Sequence, residues 1–180
     1  MHMPNEINIL NVNSIASTGL VNIWHTNGIA GNPLQARVNA FRIGTAPYVS
    51  FADPDDLVEP TAFQQCLDYL EGASSLDAVY TNSIIFDVKR KEARPFFKNH
   101  FWNWRWHRAT QIPVHQLVVI KRSALMPILK LYDGKVQRSR AEQLFYDHFE
   151  WKFLPTIGYY WYKRPTGNHT KPIHAHGTLR

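Results

Sequence analysis

An apolar segment that ends in an acidic, proline-containing turn constrains the fold of this chain most strongly. Residues 48–52 (YVSFA) predict a buried strand, which stops abruptly at residues 53–56 (DPDD). Residues 60–72 follow with a proline at the start, apolar side chains at helical spacing and a glycine at the end, so they predict a helix. A strand, an acidic turn and a helix in this order are typical of α/β folds, which bind ligands at the carboxyl ends of their strands.

Short apolar runs alternate with helical patterns along the rest of the chain. Strands are predicted at 7–12, 20–24, 48–52, 78–80, 83–86, 114–120 and 154–162, and helices at 34–43, 60–72, 122–131 and 141–151. Residues 95–110 predict a long loop with some helix, and 163–180 a polar, His-rich tail. The pattern favours a single domain over residues 1–180, with a mostly parallel sheet flanked by helices.

Composition excludes several classes of protein. The 180 residues are 44% hydrophobic and 19% charged, which is enough apolar material for a core. No run approaches the ~18–20 apolar residues of a membrane-spanning helix, and the start of the chain does not resemble a signal peptide. Cys66 is the single cysteine, which excludes an internal disulfide or a multi-cysteine zinc site. We therefore expect a soluble protein of the cytoplasm (the host cytoplasm, if the chain is viral) without integral membrane insertion.

The positive charge is concentrated in one stretch. Nine of the 20 Lys and Arg residues lie between residues 89 and 122, where Glu92 is the single acidic residue. This stretch carries a net charge of +8, whereas the rest of the chain sums to −2. The stretch suits either a solvated basic face or a binding surface for an anionic partner such as nucleic acid or a polysaccharide.

The acidic turn itself has two interpretations. Asp53, Asp55 and Asp56 would repel one another unless a positive group lies among them, and hard oxygen ligands of this kind suit Mg²⁺ or Mn²⁺. Pro54 would hold the flanking carboxylates in a fixed relation. The alternative is an Asx-type turn that caps the helix beginning at Pro60.

Several segments in order resemble the GT-A glycosyltransferases of the large family-two type. The segment ARVNAFRIGTAPYVSFADPDDLVEP (36–60) is similar to that family's "ARN-x-G" helix followed by its strand and "D-x-D-D" turn. The loop HTNGIAGNPLQAR (25–37) precedes it as the family's "N-x-G" loop does. Four later segments also resemble family blocks: DAVYTN, HQLVVIKRSAL, RAEQLFYDHF and FLPTIGYYWYKRPTGNHT. The resemblance runs from about residue 20 to 172 and implies a GT-A-like fold with an abbreviated N-terminal part.

The resemblance implies a metal-dependent donor site. Asp53 and Asp55 would contact the nucleotide sugar and a Mn²⁺ or Mg²⁺ ion, supported by Asp56, and a UDP-sugar is the expected donor. The resemblance extends the donor contacts to Asn27 in the "N-x-G" loop. Two further candidates for these contacts are Asn11, which equally suits a turn, and Arg37, which equally suits an unremarkable surface position.

The catalytic base and a third metal ligand are also carried over from the family. Glu142 stands where the family has the first member of a Glu-Asp pair, but Gln143 replaces the second carboxylate. Glu142 is therefore the expected base for an inverting transfer, and otherwise an acid in the first turn of a helix. His169, in the last resembling block, is the expected histidine ligand of the metal.

The acceptor is expected to bind an aromatic and basic region. In an extended chain, the alternating tryptophans of residues 102–106 would place three indoles on one face, and aromatic faces stack on sugars and nucleobases alike. The alternative is a loop that buries these rings over the core. The expected acceptor-binding residues are Trp102, Trp104, Arg105, Trp106, His115 and Arg122.

Two other functions fit parts of the sequence. Gln143, the short N-terminal part and the basic stretch also fit a non-catalytic nucleic-acid-binding protein on a degenerate transferase scaffold. A metal-dependent phosphoryl hydrolase or nuclease would need more carboxylates at strand ends than the chain offers. For the transferase, the acceptor is expected to be a modified DNA base, as in phage enzymes of DNA modification, or a polysaccharide.

Overall fold

A computed structural model of the chain describes residues 38–53, 56–96, 117–131 and 148–163. Residues 38–41 are helical and lead through a loop into the first strand. The further elements are β1 (Tyr48–Ser50), β2 (Leu57–Val58), α1 (Pro60–Gly72), β3 (Ala78–Asp87), β4 (Glu92–Pro95), β5 (Val118–Lys121), α2 (Arg122–Leu131) and β6 (Trp151–Lys163).

The strands form one mixed sheet in the order β1-β5-β3-β6-β2, with β4 paired to the outer half of β3. Only the β3–β6 pair is parallel among the described strands, whereas the other four pairings are antiparallel. The mixed α/β architecture is as predicted, but the expectation of a mostly parallel sheet is wrong for this part of the chain. The order of elements along a sequence does not specify which strands become neighbours, and neighbours decide direction.

Strand β3 is a single strand at the centre of the sheet. The sequence pattern divided it in two at the polar residues Thr81 and Asn82, yet both of them and the adjacent Ser83 are buried. The Thr81 hydroxyl donates to the Asn82 carbonyl (3.0 Å), and the Asn82 side-chain oxygen accepts the Ser83 N–H (2.9 Å). These local hydrogen bonds make the Thr81 and Asn82 side chains compatible with a buried strand, whereas the buried Ser83 hydroxyl has no hydrogen-bond partner among the described residues.

The β3–β6 ladder is irregular at these polar residues. Thr81 pairs with Leu154, Asn82 with Ile157 and Ser83 with Tyr159, so β6 contains extra residues at two steps. Gly158 is one of them, and its backbone packs directly against the Thr81 side chain. Bulges of this kind change the direction in which the following side chains point.

The sheet buries a hydrophobic cluster on each face. Alternate strand residues supply the two clusters, as the period-two geometry of a strand requires. One cluster packs α2 and residues 38–41 on the sheet through Val38, Phe41, Leu125, Ile128 and Leu129. The other packs α1 on the opposite face through Ala62, Phe63, Cys66 and Leu70.

Helices α1 and α2 agree with the sequence predictions. Helix α1 begins with Pro60 in its first turn, where a missing N–H costs no hydrogen bond, and ends at Gly72. The Lys121 ammonium donates to the carbonyls of Ala73 and Ser74 (3.2 Å each), which places a cation at the negative end of α1. Neither of the described helices is long and apolar enough to cross a membrane.

The helix predicted for residues 141–151 does not extend to its predicted end. Residues 148–150 are irregular, and Trp151 is the first residue of β6. The Glu150 N–H donates to the Asp77 carboxylate (3.0 Å), and the Glu150 carbonyl accepts the Asp77 N–H (2.9 Å). Phe149, Trp151 and Phe153 alternate with polar residues, and this period-two pattern decides for a strand. The predicted strands 7–12 and 20–24, residues 97–110 of the predicted loop, and the tail beyond residue 163 lie outside the described residues.

An exposed four-residue turn, residues 88–91, connects β3 to β4. The Asp87 carboxylate accepts the Arg90 N–H (3.1 Å) and lies 3.7 Å from the Lys163 ammonium. Lys91 adopts a positive φ of 56° at the end of this turn. The hydrogen bond from the Arg90 N–H, with the charges of Lys163 and Arg90, lowers the pKa of Asp87.

The lowered pKa of Asp87 should make the free energy of unfolding decrease as the pH falls into the acid range. A carboxyl group whose pKa is lower in the folded state contributes stability above its unfolded pKa of ~3.9 and loses it as the pH falls through the folded value. We expect Asp87→Asn to be less stable than the native chain at pH 7, and the difference to shrink as the pH falls below about 4. Urea unfolding of both chains at pH 7 and pH 3 measures it. A difference that stays constant would contradict the role of Asp87.

Gly158 should not tolerate a side chain. A Cβ at this position would overlap the Thr81 hydroxyl oxygen, whereas one at Gly72 meets nothing within 4 Å. We expect Gly158→Ala to lower the free energy of unfolding by about 1–3 kcal/mol. The matched control Gly72→Ala, at the end of α1, should raise it by about 0.5–1 kcal/mol. Equal effects of the two substitutions in urea unfolding would show that the close approach of Gly158 to Thr81 is not a constraint.

Candidate functional site

The acidic turn lies directly after β1 and is closed by its own backbone. The Asp56 N–H donates to the Asp53 carbonyl across a distance of 3.1 Å, the hydrogen bond of a four-residue turn. The two residues between them, Pro54 and Asp55, lie outside the described residues. Proline in the second position of such a turn is preferred because its fixed φ suits that position.

The Tyr159 hydroxyl ties this turn to the sheet. It accepts the Asp53 N–H (3.0 Å) and donates to an Asp56 carboxylate oxygen (2.9 Å). The second Asp56 oxygen accepts the Tyr162 N–H (3.0 Å). Strand β6 therefore holds both ends of the turn, and β2, which follows the turn, pairs with β6 through Tyr159 and Tyr160.

Tyr159 remains protonated in this position. The residue is only 1% exposed, and burial together with the nearby carboxylates of Asp56 and Asp53 raises the pKa of its hydroxyl well above the ordinary value. A protonated hydroxyl has one proton, which goes to Asp56, and lone pairs, one of which accepts the Asp53 N–H. At neutral pH the hydroxyl therefore accepts the Asp53 N–H and donates to the Asp56 carboxylate at the same time.

The carboxylates of the turn have different surroundings. Asp56 is only 2% exposed and is bound by two donors from β6, so its charge serves the structure of the turn. Asp53, three residues after the end of β1, is partly exposed. Carboxylate oxygens are the donors that Mg²⁺ and Mn²⁺ prefer, so the residue types fit a divalent cation. Within the described ranges, no three His, Cys, Asp or Glu side chains are grouped to hold a metal.

Arg122, a predicted acceptor-binding residue, is engaged with the loop that precedes β1. Its guanidinium donates to the carbonyls of Phe41 (2.8 Å), Ala46 (2.5 Å) and Ile43 (3.3 Å), and its backbone N–H donates to Pro47 (2.7 Å). This clamp connects the start of α2 to the segment that leads into the acidic turn. Acceptor binding by Arg122 stays a prediction. It would have to use guanidinium N–H groups that do not donate to these three carbonyls.

The basic stretch is divided between structure and surface. Lys121 caps α1 and Arg122 clamps the loop before β1, whereas Lys89, Arg90, Lys91 and Arg94 are exposed on the hairpin of β3 and β4. The sequence alone does not distinguish these uses, because they depend on which carbonyls lie nearby after folding.

Most predicted site residues lie in parts of the chain that the structure does not describe. Asp53 and Arg122 are the two described members of the predicted set. The predicted residues outside the described ranges are Asn11, Asn27, Arg37, Asp55, Trp102, Trp104, Arg105, Trp106, His115, Glu142 and His169.

The sequence does not indicate that Tyr159 binds the acidic turn. A tyrosine in an apolar strand is predicted to be a core residue, and the Tyr159 ring does belong to the core. A possible signal was Gly158, because a glycine inside a strand pattern marks a bulge or a close backbone approach. Cys66 is fully buried, and burial raises the pKa of its thiol to about 12, which disfavours the reactive thiolate.

No protein-family model and no curated protein matches this chain. The resemblance to family-two glycosyltransferases therefore rests on the motifs quoted above.

The Tyr159 hydroxyl should be worth more to stability than an ordinary tyrosine hydroxyl. Tyr159→Phe leaves the buried Asp56 carboxylate and the Asp53 N–H without this partner, so we expect the free energy of unfolding to fall by about 2–3 kcal/mol. The control is Tyr160→Phe, whose hydroxyl makes a longer bond to Glu59 (3.4 Å) at a less buried position. Its expected loss is below about 1 kcal/mol. Similar losses for the two variants in urea unfolding would contradict the special role of Tyr159.

Proposed function

We propose that this chain is a metal-dependent glycosyltransferase with a GT-A-like fold, which moves a sugar from a nucleotide-sugar donor to an acceptor hydroxyl with inversion. The observation that carries the proposal is the construction of the acidic turn. Asp56 is buried and fixed by Tyr159 and Tyr162, while Asp53 is partly exposed three residues beyond the carboxyl end of β1. Open α/β sheets bind ligands at such strand ends.

In this proposal, Asp53 and Asp55 hold the cation and His169 completes its ligands. A divalent cation at this position neutralises charge on the leaving nucleotide diphosphate. The described residues contribute rigidity, because a turn whose two ends are tied to β6 presents its carboxylates without reorganisation. Asn11, Asn27 and Arg37 contact the nucleotide or its diphosphate.

Glu142 takes the proton of the acceptor hydroxyl in the same proposal. A carboxylate beside the reacting hydroxyl acts as a general base, and the hydroxyl oxygen attacks the anomeric carbon as the nucleotide diphosphate leaves. The aromatic and basic residues Trp102, Trp104, Arg105, Trp106 and His115 bind the acceptor. The cytoplasmic location expected from the sequence belongs to this proposal as well.

Calorimetric titration of nucleotide sugars, with UDP-glucose first, tests the donor site. We expect the native chain to bind one donor with Mn²⁺ present and not without it. Asp55→Asn should lose at least about tenfold in that affinity, since a neutral amide is a poorer ligand for a hard cation. Glu142→Gln should bind the donor as the native chain does, because the base acts on the acceptor.

The control for the loss of one negative charge is Asp68→Asn, because Asp68 is exposed on α1 and hydrogen-bonded to Gln64. This variant should bind the donor unchanged. Metal-dependent binding that survives Asp55→Asn would overturn the site. A folded native chain that binds no nucleotide sugar would overturn the transferase itself.

A further inference from the structure

An aromatic surface lies on one face of the outer half of the sheet, formed by Phe86, Tyr160 and Tyr162. The Phe86 ring stacks on the Tyr162 ring, with centroids 5.1 Å apart and planes inclined by 15°, and its centroid lies 6.3 Å from that of Tyr160. All three residues are partly exposed. Phe86 and Tyr162 cover one ring face of each other, which leaves their opposite faces and the Tyr160 ring to stack on a flat ligand.

Positive charge borders the aromatic surface at one end. The residues of the turn 88–91 (VKRK) are exposed, and the Val88 N–H donates to the Lys163 carbonyl (3.2 Å), one residue after Tyr162. Arg90 and Lys163 share the Asp87 carboxylate. Lys89 and Lys91 form no ion pair with any residue of the described ranges, so their charges face solvent.

The acidic turn borders the same surface on its other side. The Tyr162 N–H donates to Asp56, and the Tyr160 hydroxyl donates to the Glu59 carboxylate. Carboxylates therefore lie on the β2 side of the aromatic surface, and the lysines of residues 88–91 lie at the hairpin end. A ligand that stacks on the rings therefore has positive charge beside it at the β3–β4 hairpin and negative charge beside it at β2.

We propose that the aromatic surface and the turn 88–91 together bind a single-stranded nucleic acid. Unpaired bases offer flat faces to the rings, and the neighbouring phosphates offer negative charge to Lys89 and Lys91. A duplex hides its base faces, and a neutral glycan has no charge for the lysines. This binding does not depend on the proposed function, although a strand bound here would lie beside the proposed donor site.

Fluorescence anisotropy of a labelled oligothymidylate of 12 nucleotides, without metal or nucleotide sugar, tests the proposal. Tyr162→Leu should weaken binding about tenfold, as expected for the loss of one stacked base. Its control is Tyr69→Leu, because Tyr69 is exposed on α1 and 48% accessible. Lys89→Gln with Lys91→Gln should reduce the slope of log affinity against log salt by about 1.4, since each single-strand phosphate contact contributes ~0.7. Lys130→Gln with Lys152→Gln removes the same charge from exposed positions elsewhere and should leave affinity and slope unchanged.

The lysine variants keep the test valid if Tyr162→Leu fails to fold, because both lysines are exposed. Three outcomes would overturn the proposal: no binding by the native chain, equal effects of surface and control variants, or tighter binding of a duplex of the same length. Preferred binding of a neutral oligosaccharide such as maltoheptaose would overturn it as well. Donor binding in the calorimetric experiment is measured separately, so failure of either proposal is recognised independently.

Discussion

The parallel ladder between β3 and β6 is the contact on which the rest of the described structure depends. All ten residues of β3 have partners on β6, and β3 also pairs with β5 and β4 on its other edge. Both hydrophobic clusters use these two strands. The irregular step at Thr81–Ser83 brings Gly158 against Thr81, and Tyr159 follows at the position that reaches the acidic turn. A local irregularity in a ladder thus places a hydroxyl that regular pairing would place elsewhere.

The buried Asp56 carboxylate shows how the acidic turn is stabilised. A buried charge is costly unless hydrogen bonds replace its hydration, and Asp56 has two donors from β6. One of the three carboxylates therefore belongs to the structure, so substitution of Asp56 would disturb the turn whatever the turn binds. Asp55 is the position at which metal binding is tested, because the described contacts that anchor the turn use Asp53 and Asp56.

The cations of the basic stretch divide into structural and exposed groups. Lys121 and Arg122 lie next to each other where β5 meets α2, and both donate to backbone carbonyls of other elements. Charged donors satisfy carbonyls that helix ends and loops leave without partners. Lys89 and Lys91 are exposed and donate to no carbonyl of the described residues, so their charge remains at the surface beside the rings of Phe86 and Tyr162. The net charge of a sequence segment therefore overstates the positive charge that is exposed for binding an anionic partner.

The sequence by itself determined several local elements, although it did not predict the short strands β2 and β4. It predicted α1, α2 and the strand before the acidic turn, because hydrophobic period, Pro60 and Gly72 act within a few residues. It did not determine strand direction, the continuity of β3 through its polar residues or the end of the predicted helix 141–151. The sequence indicated the carboxylates of the acidic turn but not the groups of β6 that bind them. Those features depend on contacts such as Tyr159 with Asp56, 103 residues apart, which exist only after β6 pairs with β3. Tertiary structure decided them because hydrogen bonds and burial act between neighbours in space, whereas sequence patterns report neighbours along the chain.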